Sequence, residues 1–345
     1  MRILMINHEF TITGASTIFF QLAQHLRGRG HEIAILPCIP ADGPMAARYH
    51  AAGIPILSGG PSPGFDLAIA NTIAAGGYVQ HLGGELPVIW FIHEAEVGLR
   101  VLMEHPTWIG AFARAAAVIY NMPFQNDVFR SFTYALPEWK FHTIPIGVEV
   151  DPASIVAAPA KARPWRIVQV GTLEPRKRPG DLIRAVALTG LDAECIFCGR
   201  LFEIDPAARS VIEQNPDRFR IIEGASDGEV LGWQQSADIA TLVSGSETQG
   251  LAAYQAALLG RPLILSDLLC YRGIFRHGES ALMFPAGAVD MLAISIAMLA
   301  ANPSLGRRLG AAAREAAARF TRDGFFAQVD AVLQSAVSRR SEAER

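Results

Sequence analysis

Along the chain, short apolar runs take turns with longer stretches in which apolar residues recur every three or four positions. "RILMIN" (2–7) is an apolar run entering a polar, Gly-containing loop. "STIFFQLAQHLRGRG" (16–30) has helical spacing, with Ser16 placed as its cap and Gly30 as its end. "HEIAILP" reads again as a strand, and "MAARYHAAG", "IPIL", "DLAIAN" (66–71) and "PVIWFIHE" (87–94) continue the pattern. "AAAVIYN" (115–121) and "KFHTIPIGV" (140–148) add two more runs of this kind. Strands separated by helix-length segments imply parallel crossovers and a doubly wound sheet.

The pattern breaks once. "EVDPASIVAAPAKARP" (149–164) is rich in Pro and Ala, lacks periodicity and reads as a linker. The alternation then restarts with "WRIVQVGT" as strand, "PGDLIRAVALTG" as helix, "AECIFCG" and "RFRIIEG" as strands and "DGEVLGWQQS" as helix. "ADIATLVS" (strand), "GLAAYQAALLG" (helix) and "RPLILSD" (strand) follow, then two helices and a last amphipathic one near 321–337. A chain of 345 residues is long for one core, given a prior of roughly 150 residues per domain. The expected class is α/β, with two tandem Rossmann-like domains facing across a cleft. The expected divisions are 1–150, a linker over 151–164, and 165–320. A C-terminal helix with a polar tail (321–345) is expected to pack back toward the N-terminal domain.

Composition narrows the partners. Half the residues are hydrophobic and 18% are charged, which fits a folded soluble protein. The net charge of −3, with neither half basic, gives no electrostatic case for nucleic acid or for an anionic membrane surface. The N-terminus lacks a signal-peptide pattern and no apolar run approaches the roughly 20 residues of a membrane span, so the expected location is cytoplasmic. Of the four cysteines, Cys195 and Cys198 have redox spacing. They lie in an apolar strand, where residues three apart point to opposite faces, so a structural role is expected.

Open α/β sheets bind ligands at the carboxyl ends of their strands, so the informative loops are those that follow strands. "GTLEPRKRP" (171–179) sets Arg176, Lys177 and Arg178 beside a helix opened by Pro179, a combination suited to phosphate. "SGSETQGLAAYQ" (244–255) carries Glu247 just before a helix that begins near Gly250, and Gln255 within it. Were the stretch between them all helical, it would span about 12 Å. His93 closes the strand "PVIWF". Gly14, followed by Ala15, lies in the loop after the first strand, where glycine permits close backbone approach. Taken singly, each has an ordinary explanation: a solvated cation run, a loop carboxylate, a structural histidine, a loop glycine.

Together and in this order, they resemble the retaining nucleotide-sugar glycosyltransferases of the GT-B fold, glycosyltransferase family 4, over nearly the whole chain. "GTLEPRKRPGDLIRA" is similar to that family's phosphate-loop segment, with Lys177 at its diphosphate-binding lysine. "SETQGLAAYQAALLGRPLILSD" resembles its signature of two glutamates separated by seven residues, followed by Ala and Gly-x-Pro. Glu247 falls on the first glutamate, which the resemblance assigns to the donor sugar, and Gln255 on the second, which it assigns to the ribose hydroxyls. "HLRGRGHEIAIL", "PVIWFIHE", "FHTIPIGVEV" and "ESALMFPAG" agree in order. Departures are Thr172 where arginine is frequent, Ile146 where asparagine is common, and "TGAS" where two glycines are usual.

The resemblance implies metal-independent transfer of a hexose-type sugar from a nucleoside-diphosphate-sugar donor, with retention, to an acceptor it does not identify. The sequence contains no Asp-x-Asp pair, and no metal or other cofactor is expected. It implies a catalytic set of Glu247, Lys177 and His93. Gly171, Thr172, Arg176, Arg178, Thr248, Gln249, Gly250, Leu251 and Gln255 then line the donor, and Gly14 and Ala15 stand near its phosphate or the acceptor. Glutamine for glutamate at 255 exchanges a charge-assisted hydrogen bond for a neutral one and costs on the order of 1–1.5 kcal/mol. The expected result is about tenfold weaker donor affinity with catalysis intact. Competing readings are a non-catalytic binding subunit and another GT-B enzyme, such as a sugar-nucleotide epimerase or a phosphorylase. No Gly-x-Gly-x-x-Gly follows the first strand of either half, which disfavours a dinucleotide-dependent oxidoreductase.

Overall fold

The computed structural model describes residues 1–39, 42–60 and 64–343, with side chains through residue 340. The last two residues of the expected polar tail lie outside it. Two compact units emerge, Met1–Gly147 with Arg322–Arg345, and Val148–Thr321.

The first unit runs β1 (Arg2–Asn7), α1 (Gly14–Gly28), β2 (Glu32–Pro37), α2 (Pro44–Ala51), β3 (Leu67–Asn71) and α3 (Gly76–Leu82). It continues with β4 (Val88–Ile92), α4 (Glu96–Glu104), α5 (Ala111–Arg114), β5 (Ala117–Tyr120), α6 (Phe124–Thr133) and β6 (Phe141–Thr143). All neighbours are parallel, in the order β2-β1-β3-β4-β5-β6. Every residue of β3, β4 and β5 is buried, because parallel crossovers cover both faces of such a sheet with helices. The core gathers Leu4, Ile6, Trp90, Phe112, Tyr120 and Phe129.

The second unit runs β7 (Trp165–Val170), α7 (Pro179–Thr189), β8 (Ala193–Cys198), α8 (Pro206–Gln214), β9 (Phe219–Ile222) and α9 (Asp227–Ser236). Then come β10 (Ile239–Leu242), α10 (Leu251–Leu258), β11 (Leu263–Ser266), β12 (Leu282–Phe284), α11 (Val289–Ala301) and α12 (Pro303–Ala318). Its sheet is also parallel, ordered β12-β11-β10-β7-β8-β9. The last helix, α13 (Arg322–Ala343), belongs to the first unit. There Phe325 packs on Phe91 at 5.9 Å, Phe326 stacks on His25 at 4.4 Å, and His25 Nε2 meets Asp330 Oδ2 at 3.0 Å.

The alternation read from the sequence is therefore realised as two doubly wound parallel sheets, with local differences. Helix α1 starts at Gly14, and Thr13 caps it by accepting from Ser16 N at 3.2 Å, so Ser16 is the capped residue and not the cap. "IPIL" contributes a single bridge, Ile56 to Ile35, with no strand of its own. Helix α8, unforeseen, begins behind Asp205, whose side chain accepts from Ala207 N, with Pro206 at its first position. The stretch read as a linker is bound along the second unit. Val156 N donates to Gly228 O at 3.0 Å, and buried Arg166, paired with Glu194 at 2.7 Å, donates to Pro159 O and Ala160 O.

Candidate functional site

In the second unit the chain lays β8 and β9 to one side of β7 and then returns to lay β10, β11 and β12 on the other. The loops after β7 and β10 therefore leave the sheet side by side, at the reversal of strand order where ligands of such folds bind. Gly171 follows β7 with φ 140°, and Lys177 lies across it, its Cε 3.4 Å from where a Cβ would stand. The loop is pinned from below. Gln169 Nε2 donates to Lys177 O at 3.0 Å, and Gly245 N donates to Arg176 O at 2.8 Å.

Two cations and one carboxylate converge there. Lys177 Nζ donates to Glu247 Oε1, and Ser244 Oγ donates to the same oxygen at 2.7 Å. Arg176 Nη1 stands 3.5 Å from Glu247 Oε2 and donates to Ser246 O at 2.7 Å, while its Nη2 meets Glu174 at 2.5 Å. Glu247 is only 9% exposed. Burial alone would raise its pKa. The neighbouring Lys177 and Arg176, with hydrogen bonds from Lys177 and Ser244, outweigh that and hold the carboxyl below its ordinary value. The carboxylate is thus ionised and already neutralised, and an anionic ligand reaching Lys177 competes with it.

The remaining residues of this region divide. Arg178, in the left-handed conformation at φ 49°, turns to Asp181 at 2.5 Å and is not brought to Glu247. Gly250 precedes α10 at φ 70°, and a Cβ there would fall 2.2 Å from Tyr271 Oη, so glycine is needed for space as well as for conformation. Gln249 is buried, whereas Thr172, Thr248, Leu251 and Gln255 are half-buried. Only the part of 247–255 from Leu251 onward is helical, which places Gln255 just over one turn into α10.

In the first unit, polar side chains collect where β1, β3, β4 and β5 end. Asn71 Nδ2 donates to Asn7 Oδ1 at 2.9 Å. Thr72 has φ 69° and ψ 164°, a conformation nearly reserved for glycine that stores about 1–3 kcal/mol of strain. It is held there by Trp90 Nε1 donating to Thr72 O at 2.7 Å and by its own N–H on Phe91 O. His93 Nδ1 lies 3.1 Å from Asn121 Nδ2, and Glu94 Oε2 accepts from Ile73 N and His93 N at 3.0 and 3.1 Å. Burial lowers the pKa of His93 to about 3 and raises that of Glu94 to about 7, the backbone donors opposing the latter. Gly14 is the exposed first residue of α1 and Ala15 its half-buried second, and no hydrogen bond joins either to the His93 group.

Asn121, Gln125 and Thr72 were not anticipated. A signal was present, since three apolar strands close on asparagine: "RILMIN", "LAIAN" and "AVIYN". Cys195 and Cys198 take no part. Cys195 packs in one core cluster and Cys198 in the other, on opposite faces of β8, with both thiols pushed up to about 12 chiefly by burial. Among the described residues, no group of three His, Cys, Asp or Glu side chains is placed to hold a metal ion. Nor is any single helix long and apolar enough to cross a membrane.

Comparison with known proteins agrees with this layout. Residues 152–316 match the family described as Glycosyl transferases group 1. The chain is 25% identical over 378 aligned residues to phosphatidyl-myo-inositol mannosyltransferase of Mycobacterium leprae (strain TN), covering 100% of this chain and 99% of that one. Its fold is similar to HepE of Anabaena in complex with UDP and glucose, with a TM-score of 0.80, 18% identity, and 97% and 100% of the two chains covered. It is similar also to sucrose-phosphate synthase from Thermosynechococcus elongatus, with a TM-score of 0.74, 19% identity, and 97% and 98% covered. The fold is GT-B.

Proposed function

We propose that this chain, which carries a Glycosyl transferases group 1 domain on a GT-B fold, transfers a hexose-type sugar from a nucleoside-diphosphate sugar to an acceptor hydroxyl with retention of configuration. The observation that supports this reading is the convergence of Lys177, Arg176 and Glu247 on the loops after β7 and β10. Similarity to a mannosyltransferase over the full chain, and to a structure holding UDP and glucose, points the same way.

The residues divide the work as follows. The anomeric bond breaks with its electron pair moving onto the diphosphate, so negative charge grows on the leaving oxygen. Lys177 and Arg176, with the free amides at the start of α10, stabilise that charge and need no metal to do so. Donor binding draws Lys177 from Glu247, which frees the carboxylate to accept hydrogen bonds from sugar hydroxyls. The new bond forms from the acceptor oxygen on the face that the diphosphate leaves, and the acceptor proton passes to a departing phosphate oxygen. His93 orients the sugar or the incoming hydroxyl. Gln255 holds the ribose with one acceptor and one donor. Arg178 supports the loop through Asp181. The transfer takes place in the cytoplasm.

Calorimetric titration with UDP, GDP, ADP and dTDP, on the wild type and on Lys177→Ala, tests the assignment. Micromolar binding of one nucleotide, lost in the variant, is the expected result and names the base. A protein that binds none of the four is a binding relative without transferase activity, a reading that Gln255 and Thr172 would then favour.

A further inference from the structure

Gln125 is fully buried and uses both ends of its amide. Oε1 accepts from Asn121 N and Met122 N at 2.8 and 2.9 Å, and Nε2 donates to Ile92 O and Glu94 O at 3.1 and 2.7 Å. One side chain thus fastens the segment leaving β4 to the segment leaving β5. In the sheet, Ile92 pairs with Tyr120, so the next residues, His93 and Asn121, emerge as neighbours. The His93 ring also packs on Phe91, 4.1 Å between centroids. Phe91 and Asn121 hold the ring, yet its Nε2 is buried with no hydrogen-bond partner among the described residues. The Asn121 amide turns its nitrogen toward Nδ1.

We propose that Asn121 is a positioning residue that keeps the His93 proton on Nε2, so that His93 serves sugar transfer as a neutral hydrogen-bond donor and not as a base. An amide N–H donating to Nδ1 requires the lone pair there, which leaves the ring's one proton on Nε2. Burial keeps the ring from taking a second proton near neutral pH. An Nε2–H with no protein partner is matched by a substrate oxygen, from a sugar hydroxyl or a phosphate. A base would instead present a bare nitrogen. The statement about transfer rests on the function proposed above, but the tautomer does not.

The test is made on the full chain labelled with 15N-histidine, with His93 assigned by the loss of its signals in His93→Gln. Long-range 15N–1H correlation between pH 6 and 8 should show protonated Nε2 and bare Nδ1. In Asn121→Asp the carboxylate accepts from Nδ1, and the proton should move there. A wild-type ring protonated on Nδ1, or an unchanged tautomer in Asn121→Asp, overturns the proposal. A second arm follows release of nucleoside diphosphate from sugar nucleotides carrying the base that titration names. Gln places an N–H where Nε2 stands and Asn does not. His93→Gln should therefore keep kcat within about tenfold, whereas His93→Asn should fall at least a hundredfold. Equal losses in both variants count against the donor role. The spectra need no turnover, so an inactive protein with protonated Nε2 refutes the transferase reading and supports the tautomer.

Discussion

The two polar clusters of this protein are built from different materials. In the second unit, Lys177, Arg176 and Glu247 form a charged group whose members satisfy one another. In the first, His93, Asn121, Asn71 and Thr72 form an uncharged group in which His93 Nε2, Asn121 Oδ1, Asn71 Oδ1 and Thr72 Oγ1 are buried with no hydrogen-bond partner among the described residues. A charged cluster binds an anion by exchange, since the ligand takes Lys177 from Glu247 and little buried charge is left bare. A neutral cluster has no such currency and discriminates by direction, through the placement of single donors and acceptors. Loss of a member should therefore be felt as lost charge stabilisation in one and as lost geometry in the other.

The largest effect expected from this contrast is at Lys177. Lys177→Ala should reduce turnover by about a hundredfold to a thousandfold, since removing one group that stabilises developing charge costs roughly 2.7–4 kcal/mol. It should also abolish nucleotide binding while the folded-state spectrum persists. A near-normal rate in steady-state kinetics would end the phosphate assignment. Glu247→Ala comes next, with a fall of at least a hundredfold expected in kcat. It should leave nucleoside diphosphate binding intact or stronger, because Lys177 loses its competitor; weaker binding would contradict the exchange argument.

The neutral cluster has its own signature in pH. The Glu94 carboxyl, raised from 4.5 to about 7 by burial, contributes stability that is complete below pH 4.5 and lost as pH rises through 7. The His93 ring, lowered from 6.5 to about 3, contributes stability that is complete above pH 6.5 and lost as pH falls toward 3. Between pH 4.5 and 6.5 the two slopes oppose and nearly cancel. Glu94→Gln should expose the His93 slope, with stability rising by up to about 1 kcal/mol per pH unit across that window, and His93→Gln should expose the reverse. Urea unfolding at closely spaced pH values measures both. Flat curves in both variants would mean the cluster is not closed to water.

Much of the fold was legible because parallel strands covered on both faces are unbroken apolar runs, and "RILMIN" or "AECIFC" can be little else. Helix α8 is equally legible through Asp205 and Pro206, an N-cap followed by proline at the first helical position. The bound course of 151–164 was not, for it depends on Arg166 and Glu194, 28 residues apart, meeting inside the unit. Lys177 and Glu247 could each be picked out by residue type and loop position. That they touch, across 70 residues, follows only from the order of strands, which places β7 beside β10. Asn121 and Gln125 escaped because uncharged amides carry no charge pattern, and their meaning lies in what they hold in place.

The smallest effect is expected at Gln255, a neutral group eight residues along the chain from Glu247. Gln255 stands on α10, about a turn beyond the amides that the diphosphate would use. If it holds the ribose, Gln255→Glu restores a charge-assisted pair of hydrogen bonds worth about 1–1.5 kcal/mol, so donor affinity should rise about tenfold. Ribose contacts are shared by ground and transition states, so the gain should appear as a lower KM with kcat nearly unchanged. Two effects of the new charge compete. The new carboxylate also repels the diphosphate, and if that repulsion won, KM would rise instead. Titrating the free nucleoside beside its diphosphate separates the terms. Tighter binding of the nucleoside alone would place Gln255 at the ribose even where the diphosphate gains nothing, and no gain for either would remove it from the site.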